Sequence, residues 1–468
     1  MSLASSSVPP DLGARAGPDS ARIRFRRSLA LMLMTLLMPG SAQLAAGNKR
    51  LGRVAVRVWL GLVALTAVLA LIALTHRSWL LTLVTDPSWL LALRLLLIAA
   101  ALSWAALFCD AWRLGDPPGL RRGHRLTLVG VNSVLCVVTG GALLFSAHLV
   151  AVQRDFIQTV FASGVASDPY AGRYNVLLLG GDSGSDRWGL RPDSITVASI
   201  DEDTGRTVLF SLPRNLEQVP FPEGSAMSEE FPAGFDCDGC YLNGVYTWAI
   251  DHPELFPGEA DPGVAATKQA VEAVTGLPIH YYAMVNLKGF QDLVDAVGGV
   301  TLDVPQDIPI GGIGGAITGR IPAGVHKLDG YQTLWFARSR VADDDYSRMA
   351  RQKCVMSAML QQLSPRTVLT HVQDIAAASK QLLSTDLPAS ELDTFVGLAL
   401  EARSQPVATV SFVPPQIQTS EPDFAMIHAM VEEALAKSEG GASEGGGAPK
   451  KRRGAKAAND TANLAAAC

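Results

Sequence analysis

The sequence predicts an α/β (α+β) domain, with a mixed central sheet flanked by helices, behind an N-terminal membrane anchor of about three transmembrane helices. Three observations carry this reading. Apolar residues are concentrated before position 151, and charged residues make up only 18% of the 468-residue chain. From Tyr174 onward, strand-like and helix-like patterns alternate, which argues for helices on the faces of a sheet and a site at strand ends.

The anchor comes first. Stretches at 54–74, 89–112 and 126–150 are each long enough to cross ~30 Å of hydrocarbon, which takes roughly 20 residues. A further apolar stretch, 28–46, is interrupted at Met38-Pro39-Gly40-Ser41. Lys and Arg collect on the cytoplasmic side of short loops. The arm 1–27 carries Arg15, Arg22, Arg24, Arg26 and Arg27, and the next loop carries Lys49, Arg50, Arg53 and Arg57. Both flanks of 28–46 therefore belong inside, and the stretch reads as re-entrant or interfacial. The loop with Arg113, Arg121, Arg122 and Arg125 also belongs inside, so everything after Val150 lies outside the cell. This is a multi-pass cell-membrane protein with an extracytoplasmic C-terminal domain. The basic loop after the first apolar run argues against a cleavable signal peptide.

Beyond the anchor, 151–173 reads as a stalk, 174–437 as a folded domain and the Gly/Ser/Ala/Lys-rich 438–468 as a disordered tail. The net charge of −5 offers no nucleic-acid signal, and the patch Lys450-Lys451-Arg452-Arg453 reads as solvated outside a cell. Tyr174–Leu179 is a continuous apolar run, expected of a central strand. Ser194–Asp201 and Thr207–Leu212 bracket the turn signal Asp201-Glu202-Asp203-Thr204-Gly205 and form a hairpin. Helical spacing spans Pro262–Thr275, closed by Gly276, and a helix over Leu287–Ala296 ends at Gly298-Gly299. Tyr281–Val285, Val300–Val304 and Val407–Val413 read as strands, and Gly330–Trp335, Met349–Gln362, Thr367–Leu382 and Ala389–Ala402 as helices.

Of the cysteines, Cys109 and Cys136 fall in membrane spans as packing residues. One Cys-x-x-Cys pair, Cys237 and Cys240, cannot complete a four-ligand zinc site, and its Gly- and acid-rich loop suits a structural disulfide in an oxidising compartment. Cys354 sits on a helix as a buried residue, and Cys468 reads as a free tail residue.

The chemistry is concentrated at strand ends. Ser211-Leu212-Pro213-Arg214 closes one strand, and downstream lie Arg338-Ser339-Arg340, Asp343-Asp344-Asp345, Arg348 and Arg351-Gln352. The run Tyr174–Leu179 ends in Gly180-Gly181-Asp182, followed by Arg191-Pro192-Asp193. Planar guanidinium forks bind phosphates bidentately, and isolated carboxylates hold Mg²⁺ together with phosphate oxygens and water. Arginines with two acids therefore suit a pyrophosphate and a divalent cation. The local sequence leaves another reading open: Arg338, Arg340 and Arg348 as salt-bridge partners of Asp343–Asp345, and Asp193 as a turn acid.

From about Tyr174 to Leu363 the chain resembles the LytR-CpsA-Psr (LCP) family. The resemblance rests on ordered motifs: Gly-Gly-Asp, Arg-x-Asp, Ser-Leu-Pro-Arg, Tyr-Leu-Asn at Asn243, Val297-Gly298-Gly299-Val300, Pro322-Ala323-Gly324 and the Arg-Ser-Arg to Arg-Gln block. It implies a phosphotransferase that moves a glycopolymer from a polyprenyl-pyrophosphate carrier onto a peptidoglycan hydroxyl, with Mg²⁺ (or Mn²⁺) as cofactor. Asp182 and Asp193 match its metal-binding acids. Arg191, Arg214, Asn243, Arg338, Arg340, Arg348, Arg351 and Gln352 match positions around the pyrophosphate, with Arg214, Asp193, Arg338 and Arg340 carrying the reaction. A pocket between sheet and helices would take the polyprenyl tail, and Asp193 or Asp345 would serve as general base.

The chain departs from that pattern in three places. Asn215 stands where the motif has an acid, and Tyr241-Leu242-Asn243 replaces a lysine-bearing motif unless Lys288 or Arg187 substitutes. An acid- and Gly-rich insertion, Glu223–Gly239, precedes Asn243. These departures keep two rivals in view: a non-catalytic polyprenyl-pyrophosphate-binding envelope regulator, and a lipid pyrophosphatase.

Overall fold

A computed structural model describes residues 18–75, 83, 85–116, 120–161, 166–181, 191–312, 315–341, 343–362, 383–440 and 459–468. The chain divides into two units, residues 1–84 with 88–151, and residues 85–87 with 152–468.

The first unit is helical: α1 (Pro18–Leu37), α2 (Ser41–Ala46), α3 (Lys49–Thr75), α4 (Pro87–Leu114) and α5 (Arg122–Val160), which continues into the second unit. Lys49–Ile72, Pro87–Leu114 and Arg122–Val160 are long and apolar enough to cross a membrane. Between α1 and α2 the helix breaks at Met38-Pro39-Gly40, and Gly40 takes φ +95. A Cβ there would meet Ala55 Cβ at 2.6 Å, so only glycine allows this approach to α3. The broken segment is bonded to α4, with Gln43 Nε2 donating to Leu107 O (3.1 Å) and Trp104 Nε1 to Thr35 O (3.1 Å).

The second unit opens with β1 (Arg173–Gly181), β2 (Pro192–Asp201), β3 (Thr207–Leu212), α6 (Ala226–Glu230), α7 (Leu242–Asp251) and α8 (Pro262–Thr275). It continues through β4 (Tyr281–Asn286), α9 (Leu287–Ala296), β5 (Val300–Val304), β6 (Ile308–Gly311), β7 (Ile317–Ile321), β8 (Gly324–Leu328), α10 (Gly330–Arg338) and α11 (Asp345–Gln362). It closes with β9 (Leu383–Thr385), α12 (Leu392–Ala402), β10 (Ala408–Ser411), α13 (Phe424–Glu439) and α14 (Leu464–Ala467).

Six strands form one mixed sheet in the order β10-β3-β2-β1-β4-β9. β1 is antiparallel to β2 and parallel to β4, and β3 is parallel to β10. This is the architecture that the alternating patterns predict. The β2–β3 hairpin is set by local chemistry. Asp201 Oδ1 accepts from the Thr204 N–H (2.8 Å) and from the Thr204 hydroxyl (2.6 Å), and Gly205 supplies φ +68. Helix ends follow the same logic. Asp261 caps α8 by accepting from Val264 N–H (3.0 Å), Pro262 follows at the first turn, and Gly276 ends the helix in the left-handed region.

The period of two in β1 and β2 gives the sheet two different faces. Leu177, Leu179, Ile195 and Val197 pack with α7, α8 and α13 in the main core, where Phe210 and Val245 are wholly buried. Each such side chain contributes roughly 1.5–3 kcal/mol. A second, smaller core joins the two-stranded sheets β5–β8 and β6–β7 to α9, α10 and α11.

The end of the chain differs from expectation. Residues 459–468 fall in the stretch read as a disordered tail, yet Thr461 pairs with Thr409 of β10 and Leu464 is fully buried. Cys468, read as free, is disulfide-bonded to Cys354 of α11. The apolar Leu464 and the unpaired edge of β10 give this segment something to cover. The expected helix Thr367–Leu382 and the patch Lys450–Arg453 lie outside the described residues.

Candidate active site

The ends of β1, β2, β3 and β4 meet at one edge of the sheet. Gly181 pairs with Pro192, and Gly181 also pairs with Asn286, the residue that caps α9 by accepting from Gly289 N–H (2.8 Å). Pro192 starts β2, so Asp193 sits at this edge, and β3 delivers Pro213-Arg214 beside it. Arg214 Nη1 donates to Asp193 Oδ1 at 2.6 Å.

The downstream block closes on this pair from the other side. α10 ends at Arg338, and α11 begins at Asp345. Asp345 Oδ1 lies 3.7 Å from Arg214 Nε and 3.7 Å from Arg340 Nη1. Arg348, one turn further along α11, donates to both Asp345 oxygens (3.1 and 2.9 Å) and to the Asp193 carbonyl (2.8 Å). One carboxylate thus gathers three guanidiniums. The salt-bridge reading of these arginines holds for Arg340 and Arg348, but the pairing joins β2, β3 and α11 into one site. Asp345 is among the acids the salt-bridge reading names, and its spacing of three residues before Arg348 on one helix signals such a pair; its approach to Arg214 is what the fold adds.

Arginine positions differ in what they have left to offer. Arg351 was expected against the pyrophosphate, but its residue is only 2% exposed. Its Nε donates to Phe336 O (2.7 Å), its Nη1 to Asp343 Oδ2 (2.7 Å) and its Nη2 to Ser339 O. Burial pushes its pKa down, which the Asp343 carboxylate opposes. Its Nε and Nη2 hold the backbone that presents Arg338 and Arg340, and its Nη1 holds Asp343, so Arg351 positions that segment. Arg348 is also buried. Arg340 stays about a third exposed, and partial burial beside Arg214 and Arg348 lowers its pKa. It remains a cation at any working pH. Arg338 lies over the Trp335 ring, 5.2 Å from its centroid.

Other expected positions are placed as follows. Gln352, Arg338, Arg340 and Arg348 line one cavity. The Asn243 N–H donates to Arg214 O (3.0 Å), which fixes α7 against the arginine's backbone. Asn215, in place of the motif acid, donates to Thr419 Oγ1 (3.3 Å), and Arg214 is oriented by Asp193 and Asp345. Lys288 is paired with Asp292, one turn along α9. Cys237 and Cys240 are joined as a disulfide. Arg191 is exposed just before β2, and Asp182 and Arg187 lie outside the described residues.

Arg338, Arg340 and Arg348 rim a cavity of about 290 Å³ between the sheet and α9–α11. Its inner wall is apolar: Leu178, Val285, Phe290, Leu334, Val355 and Met359 are among its lining. A charged mouth over an apolar interior fits an amphiphile with an anionic head. For a divalent cation, the carboxylate oxygens of Asp193 are the right hard donors. Among the described residues no group of three or more His, Cys, Asp or Glu side chains is assembled for a metal. The donor chemistry of Asp193 suits Mg²⁺.

The LytR_cpsA_psr family model matches residues 151–437. The chain belongs to this family. It is 31% identical over 289 residues to the polyisoprenyl-teichoic acid–peptidoglycan teichoic acid transferase TagU of Oceanobacillus iheyensis, across 59% of this chain and 81% of that protein. It is 29% identical over 236 residues to TagU of Enterococcus faecalis, across 49% of this chain and 66% of the relative. With biofilm regulatory protein A of Streptococcus mutans it shares 27% identity over 225 residues, 46% of this chain and 50% of the relative. The crystal structure of B. subtilis TagV aligns with 57% of this chain and 98% of its own, at 22% identity and a TM-score of 0.41. Within the LytR_cpsA_psr match lie all the arginines of the site and the whole mixed sheet.

Proposed function

We propose that this chain is a membrane-anchored phosphotransferase that moves a glycopolymer from a polyprenyl-pyrophosphate carrier onto a peptidoglycan hydroxyl. The observation that carries this reading is the arginine cluster at the mouth of an apolar cavity, in a chain that also bears membrane-length helices. The cavity takes the polyprenyl tail, and Arg214, Arg338 and Arg340 face the pyrophosphate. The acceptor oxygen attacks the phosphorus that bears the polymer. The bond from that phosphorus to the bridging oxygen breaks, and polyprenyl phosphate leaves with the electron pair. The guanidiniums neutralise charge on the leaving phosphate, an electrostatic term that usually dominates such catalysis. Both Asp345 oxygens accept from guanidiniums, so Asp193 is the better placed carboxylate to take the hydroxyl proton. Asp182 and Asp193 would hold Mg²⁺ or Mn²⁺, which when bound supplies further neutralising charge to the phosphates. The basic loops of the anchor support an extracytoplasmic catalytic domain, where peptidoglycan is found.

The test uses the full chain in detergent with a short-chain polyprenyl-pyrophosphate glycan, peptidoglycan fragments and Mg²⁺. Mass spectrometry should find the glycan phosphate joined to the acceptor, and Arg214→Ala should cut that product about 100- to 1000-fold. Free glycan phosphate without ligation would mean a pyrophosphatase, and binding without any product would mean a regulator. Filling the cavity by Leu334→Trp should raise KM for long-chain donors and leave a donor with a short prenyl chain less affected. Equal effects on both donors would remove the tail from this cavity.

A further inference from the structure

We propose that the insertion after β3 forms a sugar subsite, a cleft that holds an uncharged pyranose ring of the acceptor glycan. This rests on the transferase reading and adds to it the place where the second substrate is held. The cleft measures about 560 Å³ and opens to solvent between residues 218–234 and the start of α13. Half-buried rings of Phe221, Phe231 and Phe424 form its walls, with Gln218, Glu223 and Ser228 supplying polar groups. Aromatic faces carry negative charge and attract the polarised C–H face of a sugar ring, and the few polar groups orient its hydroxyls.

The cleft is built as a rigid surface. The Phe235 N–H donates to Val219 O (2.8 Å), and Phe235 itself is buried in the main core. Phe231 packs edge-on against both Phe235 and Trp248, with centroids 5.0 Å apart in each pair. At the rim Gln218 takes φ +52, a left-handed conformation that a residue with a side chain adopts only under constraint. Gly234 permits the close approach of this segment, since a Cβ there would stand 2.8 Å from Gln218 O.

Charge selects the ligand. Glu223 is the ionisable group among the cleft's lining residues, and Glu217, Glu229, Glu230, Glu421 and Asp423 lie close by in sequence to those residues. This concentration of acid repels a phosphate-rich polymer and accepts a neutral sugar. Position agrees. Gln218 follows Arg214 by four residues, so their Cα atoms lie within about 14 Å. The cleft belongs with the α7–α8–α13 face of the sheet, and the apolar cavity belongs with the opposite, α9–α11 face. Lipid and acceptor therefore approach the arginines from different sides.

The experiment titrates the full chain in detergent with a neutral N-acetylglucosamine tetrasaccharide, read by saturation-transfer NMR and calorimetry, with a glycerol-phosphate oligomer as the anionic comparison. The tetrasaccharide should bind saturably, and Phe231→Ala and Ala233→Trp should each weaken it about tenfold or more. Ala233 is exposed, so Ala233→Trp fills the cleft without emptying the core that Phe231 helps to build. Absence of saturable binding, unchanged affinity in Ala233→Trp, or competition by the glycerol-phosphate oligomer would each overturn the proposal. Transfer is assayed separately: lost sugar binding with intact transfer removes the cleft alone, and cleft-dependent binding without transfer removes the transferase reading alone.

Discussion

Replacing Arg351 with alanine is expected to lower the unfolding midpoint of the second unit by on the order of 10 °C, from a loss of roughly 3–5 kcal/mol. The side chain is buried, and its removal leaves Asp343 without its cation and the carbonyls of Phe336 and Ser339 without their donor. Arg340→Ala should behave oppositely. Arg340 stands at the cavity mouth about a third exposed, with its nearest carboxylate 3.7 Å away, so its loss costs little stability. Transfer should nonetheless fall about 100- to 1000-fold, because a cation facing the leaving phosphate is gone. Thermal unfolding and transfer rates on the two variants check this together. A stable Arg351→Ala with lost substrate affinity would return Arg351 to the pyrophosphate and remove its positioning role.

Lys353→Met is expected to make the protein more stable. The ammonium of Lys353 is buried, held by the Ser411 hydroxyl, and burial pushes its pKa from 10.5 down to about 7, with the Asp460 carboxylate opposing weakly. The sign follows from linkage. Between pH 7 and 10.5 the unfolded chain keeps a proton on this lysine that the folded chain has released, so stability rises with pH through that window. Below pH 7 both states are protonated, and the folded state bears the full cost of a buried charge. That cost is about 5 kcal/mol at ~1.4 kcal/mol per pH unit, an upper figure because local hydration relieves part of it. Denaturant unfolding from pH 6 to 10 should show the largest gain for Lys353→Met at the acid end, shrinking toward pH 10. A variant less stable than the parent at pH 6 would mean that the charge has a partner in the fold.

Local chemistry explains what was legible in the sequence. Asp261-Pro262 and Gly276 mark both ends of α8, and Val300–Val304 alternates as an edge strand must. The motif arginines and Asp193 do meet, because each lies at or beside an end of a strand or helix that is signalled locally. Burial was not legible. Whether Arg351 faces a ligand or the protein depends on the carbonyls of Phe336 and Ser339, whose direction is set by how α10 ends. The short strands β6 and β7 and the helices α7 and α13 were missed, since their apolar residues read equally well as loop anchors until the core they fill is known. Likewise Cys468 gives no sign in sequence of a partner more than a hundred residues away.

The two-faced sheet has a consequence for how such a protein can diverge. An insertion within β1 or β2 would exchange the residues of the core face and the cavity face and destroy both. An insertion after Arg214 shifts no register, because β3 has already ended. The exposed stretches between Gln218 and Cys240 can thus vary without a register shift, while Val219, Met227 and Phe235 stay fixed in the main core. Under the sugar-subsite proposal, the acceptor can change through this one connection while the lining of the α9–α11 cavity is kept.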